Sequence, residues 1–199
     1  MIKNMISPLD FKHDPGLIQF LNTQCELSDN IHDPDAYCGM YEVNDGEESF
    51  INDVAYNDSE TVVTRFKPRQ SGGTTLMCAM IWYYHLIGKR VLVTIASDRY
   101  RMHMIDSLLS VRVSGCAYND TKNTYYCIEL YCTQYPSIWS PQHVVDVLMY
   151  DNRGHIADVR GMQHYDYVFV DNAKLYQVDG MKDYILPVVN QKLVLNIAP

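Results

Sequence analysis

From residue 61 onward, the order of apolar and polar residues predicts alternating strands and helices. Residues 90–96, RVLVTIA, form a continuous apolar run, which is typical of a parallel strand buried on both faces. Residues 74–88 carry apolar side chains at helical spacing, and Gly88 suits the end of that helix. This alternation predicts an α/β fold with a mostly parallel sheet flanked by helices on both faces.

The same patterns place the remaining elements of this region. Strands are predicted at 61–66, 123–132, 165–171 and 191–198, and helices at 99–110, at 140–151 and, as a short helix or turn, within 178–189. Ser97 and Asp98 are candidates to cap the helix at 99–110. Ser140 is the predicted N-cap of the helix at 140–151, with Pro141 in its first turn.

The first 60 residues are less regular. Residues 27–49 are acidic and rich in Asp, Asn, Pro and Gly, which favour turns. Short helices are predicted at 15–22 and 50–56. We therefore expect two units, an irregular or helical N-terminal extension at 1–60 and an α/β domain at 61–199.

Composition narrows the class of protein. Hydrophobic residues make up 47% of the chain, which predicts a packed core. The net charge of −8 argues against a large basic surface for DNA. No apolar run approaches the roughly 20 residues that span a bilayer, and the N-terminus lacks a signal peptide's apolar stretch. We expect a soluble, intracellular protein without a membrane partner.

Residues 67–75, KPRQSGGTT, lie between a predicted strand and a predicted helix, as a phosphate-binding loop does. In such a loop, backbone amides at a helix N-terminus bind phosphate, a lysine adds charge, and a Ser or Thr hydroxyl holds Mg²⁺. Against the Walker A pattern G-x-x-x-x-G-K-[ST], Gly72 and Thr74 take their expected places. Gly73 stands where the lysine belongs, and Lys67 stands where the first glycine belongs.

A predicted strand about a hundred residues later ends in an acid. Residues 165–173 read YDYVFVDNA, and Asp171 closes the apolar run. Ligands bind at the carboxyl ends of strands in such sheets, and a Walker B acid in this place holds Mg²⁺. Together with the loop, this strand predicts a P-loop NTPase-like domain with Thr74 and Asp171 at the metal.

The segments PRQSGGTT (68–75), VRGMQHYDYVFVDNA (159–173) and LVLNIAP (193–199) resemble the ATPase domain of the tailed-phage large terminase, the DNA-packaging motor. The resemblance covers roughly residues 50–199. It implies a RecA-like fold of the ASCE class and a role for ATP and Mg²⁺ in translocating viral DNA. It also implies, as partners, other phage packaging proteins or further copies of this chain, in the cytoplasm of a bacterial host. Direct DNA contact is possible but is not indicated by the charge.

The resemblance also implies which residues contact the nucleotide. These are the loop residues Lys67, Arg69, Gln70, Ser71, Gly72, Gly73, Thr74 and Thr75. Lys67 is long enough to supply the charge missing at Gly73, and the Arg69 guanidinium suits phosphate oxygens.

Three departures from the family pattern fall on working residues. Gly73 replaces the loop lysine, Asn172 replaces the glutamate that activates water, and Ala198 replaces a hydroxyl residue in the coupling motif. Asn172 follows Asp171 in the catalytic position, where an amide can orient water but cannot take its proton.

Two functions therefore stay open, and with them the question of whether this chain is an enzyme. One is an ATPase module of a packaging motor. The other is a degenerate relative that does not hydrolyse ATP and binds a protein or a nucleic acid as a module or regulator. A third interpretation is an α/β domain without a nucleotide site.

Overall fold

A computed structural model of the chain describes residues 16–28, 37–66, 72–113, 116–124, 127–132, 144–156 and 164–198. The helices are α1 (Leu17–Gln24), α2 (Asp45–Tyr56), α3 (Gly73–Leu86), α4 (Asp98–Leu109) and α5 (Val178–Ile185). The strands are β1 (Cys25–Ser28), β2 (Tyr37–Met40), β3 (Val62–Phe66), β4 (Val91–Ile95), β5 (Val111–Val113), β6 (Cys116–Thr124), β7 (Cys127–Cys132), β8 (Val144–Met149), β9 (Tyr165–Ala173) and β10 (Val189–Ile197). Short 3₁₀ turns at Leu175–Gln177 and Leu186–Val188 flank α5.

Seven strands form the main sheet, in the order β3-β10-β9-β4-β8-β7-β6. The first five are parallel to one another, and β7 and β6 continue the sheet antiparallel. A smaller antiparallel sheet has the order β2-β1-β5. The predicted mostly parallel sheet is therefore confirmed.

Side chains of the central strands alternate between two buried clusters, because successive residues of a strand point to opposite faces. On β4, Val91 and Val93 belong to the larger cluster, which includes residues of α1, α2, α3 and α4. Leu92 belongs to the smaller cluster, which includes Met181 and Ile185 of α5. Helices therefore cover both faces of the sheet, as predicted.

Helix α3 is buried all round, with every residue from Leu76 to Leu86 in the interior. A helix that is apolar on all sides is typical of a central core position. Helix α4 begins after Ser97, whose side-chain oxygen accepts from the backbone N–H of Tyr100. The predicted Ser97 cap is thus confirmed.

The prediction of a helix at 140–151 is wrong, because Val144–Met149 is strand β8. This strand pairs parallel with β4 and antiparallel with β7. Its β-branched valines favour a strand, and the edge of β4 supplies the pairing partner. Residues 140–143, which carry the predicted cap, lie outside the described residues. The predicted strand at 123–132 is also too simple, since β6 and β7 form an antiparallel pair there.

Residues before β3 contribute to the main core. Leu17, Phe20 and Leu21 of α1 are fully buried and belong to the same cluster as α3. Helix α2 begins at Asp45, five residues before the predicted start, because Asn44 and Glu47 form a reciprocal capping box. The division of the chain at residue 60 stays a prediction. Within the described part of the chain, no helix is both long enough and apolar enough to span a bilayer.

Candidate functional site

The described part of the predicted loop is the start of α3. Gly72 is the N-cap and has a left-handed φ of 71°, which glycine adopts without strain. Gly73, Thr74 and Thr75 form the first helical turn, where backbone amides and the helix dipole favour an anion. Four predicted nucleotide-contacting residues, Lys67, Arg69, Gln70 and Ser71, lie outside the described residues.

The predicted acid faces this helix start. Asp171 is fully buried, and it lies on the same side of β9 as Phe169, toward the cluster that contains α3. The Thr74 hydroxyl donates to Asp171 Oδ2 at 2.8 Å. The structure therefore brings together the two residues that the sequence assigned to the metal, although 97 positions separate them.

Two further residues bind the same carboxylate, and sequence reasoning assigned neither of them. The Tyr100 hydroxyl donates to Asp171 Oδ2 at 3.0 Å. Asn196 Nδ2 donates to Asp171 Oδ1 at 2.9 Å and to the backbone oxygen of Gly73 at 2.9 Å. We call Thr74, Tyr100, Asp171 and Asn196 the acid cluster. Its members come from α3, α4, β9 and β10, all at the carboxyl edge of the parallel sheet.

The orientation of the Asn196 amide is fixed by chemistry. Both of its partners, a backbone carbonyl and a carboxylate, only accept hydrogen bonds, so the NH₂ group must face them. Asn196 Oδ1 is then a buried acceptor, and it has no hydrogen-bond partner among the described residues. Such orphaned acceptors are rare in folded proteins and call for an explanation, such as a bound water or ion.

Two tyrosine hydroxyls at this edge stay protonated at neutral pH. Burial, and secondly the charge of Asp171, raise the pKa of Tyr100 far above its ordinary value. The same two causes, in the same order, raise the pKa of Tyr150 to about 12. Tyr150 donates its hydroxyl to the backbone oxygen of Asn172 at 3.5 Å. Both phenols are therefore donors toward the acid and its neighbour.

Asn172 has a left-handed φ of 60°, alone among the described non-glycine residues. Asparagine is one of the few residues that visit this region readily. The register of β9 against β10 shifts between Leu195 and Ile197, next to this position. The Asn172 side chain is partly buried. The backbone N–H of Ala198, the predicted coupling position, donates to the oxygen of Ala173 at 2.9 Å.

The donor set suits a magnesium ion that arrives with a nucleotide. Mg²⁺ prefers hard oxygen ligands and is commonly held by one or two carboxylates together with phosphates and water. Thr74 supplies a hydroxyl oxygen and Asp171 a carboxylate, and Asn196 Oδ1 is a nearby free acceptor for a water hydrogen. Among the described residues, no group of three or more His, Cys, Asp or Glu side chains forms a metal site. The residues therefore fit Mg²⁺ held together with phosphate.

Comparison with known proteins gives a structural likeness but no match in sequence. No protein-family model matches the chain. No curated protein matches it significantly. Among solved structures, the crystal structure of the HK97 bacteriophage large terminase matches with a TM-score of 0.57 at 9% sequence identity.

That match covers 92% of this chain but 36% of the terminase chain, so this chain spans about a third of that protein's length. At this identity the likeness concerns the fold alone. This chain has a terminase-like α/β fold, in which helices flank the five parallel strands of a seven-stranded sheet.

Proposed function

We propose that this chain is the nucleotide-binding module of a terminase-like DNA-packaging motor and binds ATP with Mg²⁺ at the start of α3. The observation that carries the proposal is the 2.8 Å contact between the Thr74 hydroxyl and Asp171. It joins a hydroxyl at a helix N-terminus to an acid at the carboxyl end of a parallel strand. P-loop NTPases use this pair of groups to hold Mg²⁺ beside the β- and γ-phosphates.

Each residue has a proposed role, and for those that the structure describes the position supports that role. The amides from Gly72 to Thr75 and the α3 dipole attract the phosphates, and Lys67 and Arg69 supply the positive charge that Gly73 lacks. Thr74 and Asp171 hold Mg²⁺, which neutralises phosphate charge when it is bound. Asn196 ties the backbone of Gly73 to Asp171 and so keeps the two halves of the site together.

A second candidate function is a module that binds nucleotide without hydrolysing it and acts through a protein or nucleic-acid partner. The residue after Asp171 favours it. Asn172 carries a neutral amide, which can orient a water molecule but cannot remove its proton. For either function we propose packaging proteins or further copies of this chain as partners, since the net charge of −8 gives little support to a bare DNA surface.

The binding step is tested by titrating a non-hydrolysable ATP analogue into the protein, in Mg²⁺ and in EDTA. Lys67→Ala should weaken binding in both conditions, because the lysine is proposed to contact phosphate. Asp171→Asn should weaken binding only in Mg²⁺, by about 10- to 100-fold, as removal of a group that orients a metal's ligands does. Lys182→Ala is the control, since Lys182 is exposed on α5, across the sheet from α3. Absence of binding by the unchanged protein would favour an α/β domain without a nucleotide site.

The choice between the two candidates is tested by phosphate release. Turnover by the unchanged protein supports the motor ATPase. Binding without turnover, together with turnover gained by Asn172→Glu, supports the non-hydrolysing module, because the substitution returns a group that can accept the water's proton.

A further inference from the structure

We propose that the Tyr100 hydroxyl occupies a position on Asp171 that Mg²⁺ requires, and that this hydroxyl must leave Asp171 when Mg²⁺ binds. We call this contact the lock. The inference rests on the Mg²⁺–nucleotide site proposed above and adds to it a regulatory contact from α4. Metal binding would then release the first turn of α4, so that this helix senses whether the site is loaded.

The argument begins with the two oxygens of Asp171. Oδ1 accepts from Asn196, whereas Oδ2 accepts from two hydroxyls, Thr74 at 2.8 Å and Tyr100 at 3.0 Å. A carboxylate offers about four lone-pair sites, two on each oxygen. Oδ2 is therefore saturated by its two hydroxyl donors.

A metal ion held by the Thr74 hydroxyl approaches the carboxylate from the Oδ2 side, because that hydroxyl lies 2.8 Å from Oδ2, whereas Oδ1 faces Asn196. Metal binding therefore requires one of the two positions on Oδ2. A Walker B acid acts on Mg²⁺ directly or by accepting a hydrogen bond from a metal-bound water, and either arrangement needs a lone pair of the carboxylate. Thr74 is itself a proposed metal ligand, and its hydroxyl hydrogen can still point at Asp171 while its oxygen faces the ion. Tyr100 is not a proposed metal ligand, although its hydroxyl also contacts the Thr74 hydroxyl, so Tyr100 is the donor that gives way.

The position of Tyr100 makes release feasible. Tyr100 lies in the first turn of α4 and is partly exposed, and its ring meets His103 edge-on with centroids 5.3 Å apart. The other end of α4 is anchored, because Trp82 of α3 donates to the backbone oxygen of Leu108 at 3.3 Å. A small displacement of the first turn can therefore free the hydroxyl while the rest of α4 stays packed on α3.

A supporting role for Tyr100 predicts the opposite effect of its removal on Mg²⁺-dependent binding. If Tyr100 stayed in place and supported Asp171 as a metal-orienting group, its removal would weaken Mg²⁺-dependent binding. If it is a lock, its removal strengthens that binding. The sign of one measured change therefore separates the two roles.

The experiment compares Tyr100→Phe with the unchanged protein by calorimetric titration of a non-hydrolysable ATP analogue. In Mg²⁺ we expect about 2- to 10-fold tighter binding, the equivalent of one net hydrogen bond that no longer has to be broken. In EDTA we expect no change. Tyr165→Phe is the matched control, since it removes a tyrosine hydroxyl from a different aspartate, Asp146, at the amino end of β9.

A second measurement follows the hydroxyl directly. Fluorotyrosine placed at position 100 should change its ¹⁹F chemical shift when the analogue binds in Mg²⁺, but not when it binds in EDTA. Unchanged or weaker binding by Tyr100→Phe, or a ¹⁹F chemical shift that does not depend on Mg²⁺, would overturn the lock. Neither result would contradict the proposed nucleotide site. If the unchanged protein binds no analogue in either condition, the proposed function and the lock both fall.

Discussion

The two ends of strand β9 hold the same pair of chemical groups in different surroundings. At the amino end, the Tyr165 hydroxyl donates to Asp146 Oδ2 at 2.7 Å, and Asp146 is partly exposed. At the carboxyl end, Asp171 is fully buried and receives hydrogen bonds from α3, α4 and β10.

The difference in burial and in hydrogen-bond donors supports the site proposed at the carboxyl end of β9. A buried carboxylate is costly unless its oxygens are satisfied, so a pair that only links secondary-structure elements can be placed at the surface at less cost. Asp171 lies instead at the edge where ligands bind to sheets of this kind, and several elements supply its donors. We take the amino-end pair as a structural link and the acid cluster as a site. The predictions below test that contrast by the sizes of their effects.

The largest effect is expected for Asn196→Leu. The substitution keeps a similar volume but removes the donor of two buried hydrogen bonds, and thus leaves Asp171 Oδ1 and the Gly73 carbonyl without it. Each buried acceptor that loses its donor costs about 1–3 kcal/mol. The free energy of unfolding, measured in urea, should fall by an amount in that range or above it. A loss below about 0.5 kcal/mol, the usual range for surface substitutions, would show that the acid cluster is not held together in this way.

Part of this site could be predicted from the sequence because it depends on local patterns. Thr74 lies at the start of a predicted helix after a pair of glycines, and Asp171 lies at the end of an apolar run. Once the strand before this helix and the strand that carries Asp171 join one parallel sheet, the helix start and the acid meet at one edge, so their contact follows from the topology. The sheet and its flanking helices were predictable for the same reason.

The other members of the acid cluster depend on the arrangement of elements in space. Asn196 reaches both Gly73 and Asp171 because β10 lies between β3 and β9. This strand order cannot be predicted from local sequence patterns. The signal for Asn196 was a polar residue inside the apolar run LVLNIA, near the end of a predicted strand. Tyr100 reaches Asp171 only because α4 starts beside β9. The incorrect prediction of a helix at 140–151 has a similar origin. The apolar spacing there fits either a helix or a strand, and pairing with β4 makes this segment a strand.

A middle-sized effect is expected at Asn172, where the backbone near the acid departs from regular strand geometry. At a φ of 60°, Asn172→Glu should destabilise the protein by about 1–2 kcal/mol, the usual cost of a left-handed conformation for a residue with a longer side chain. Asn172→Gly should be neutral or mildly stabilising, because glycine adopts this φ freely. Urea unfolding of both variants checks the pair.

Equal stability of the two Asn172 variants would contradict the strained geometry. The result also bears on phosphate release, since the turnover of Asn172→Glu has to be corrected for the fraction of protein that is folded. A glutamate here would thus bring a stability cost together with its proton-accepting group.

The smallest effect is expected for Tyr165→Phe, at the amino end of β9. The ring stays buried, and Arg90 still lies over it at 5.1 Å, so only the hydroxyl is lost. Because Asp146 is partly exposed, water can replace that donor, and the free energy of unfolding should fall by less than about 1 kcal/mol.

Burial, and secondly the hydrogen bond to Asp146, raise the pKa of Tyr165 above its ordinary value of 10.0. A group whose pKa is raised by folding contributes its full stabilisation below its pKa in the unfolded state. That stabilisation is lost as pH rises from the unfolded pKa through the folded one. The difference between the two proteins should therefore be constant around neutral pH and shrink above about pH 10. A loss equal to that of Asn196→Leu would mean that the amino-end pair matters as much as the acid cluster, and the contrast between the two ends of β9 would no longer mark one of them as a site.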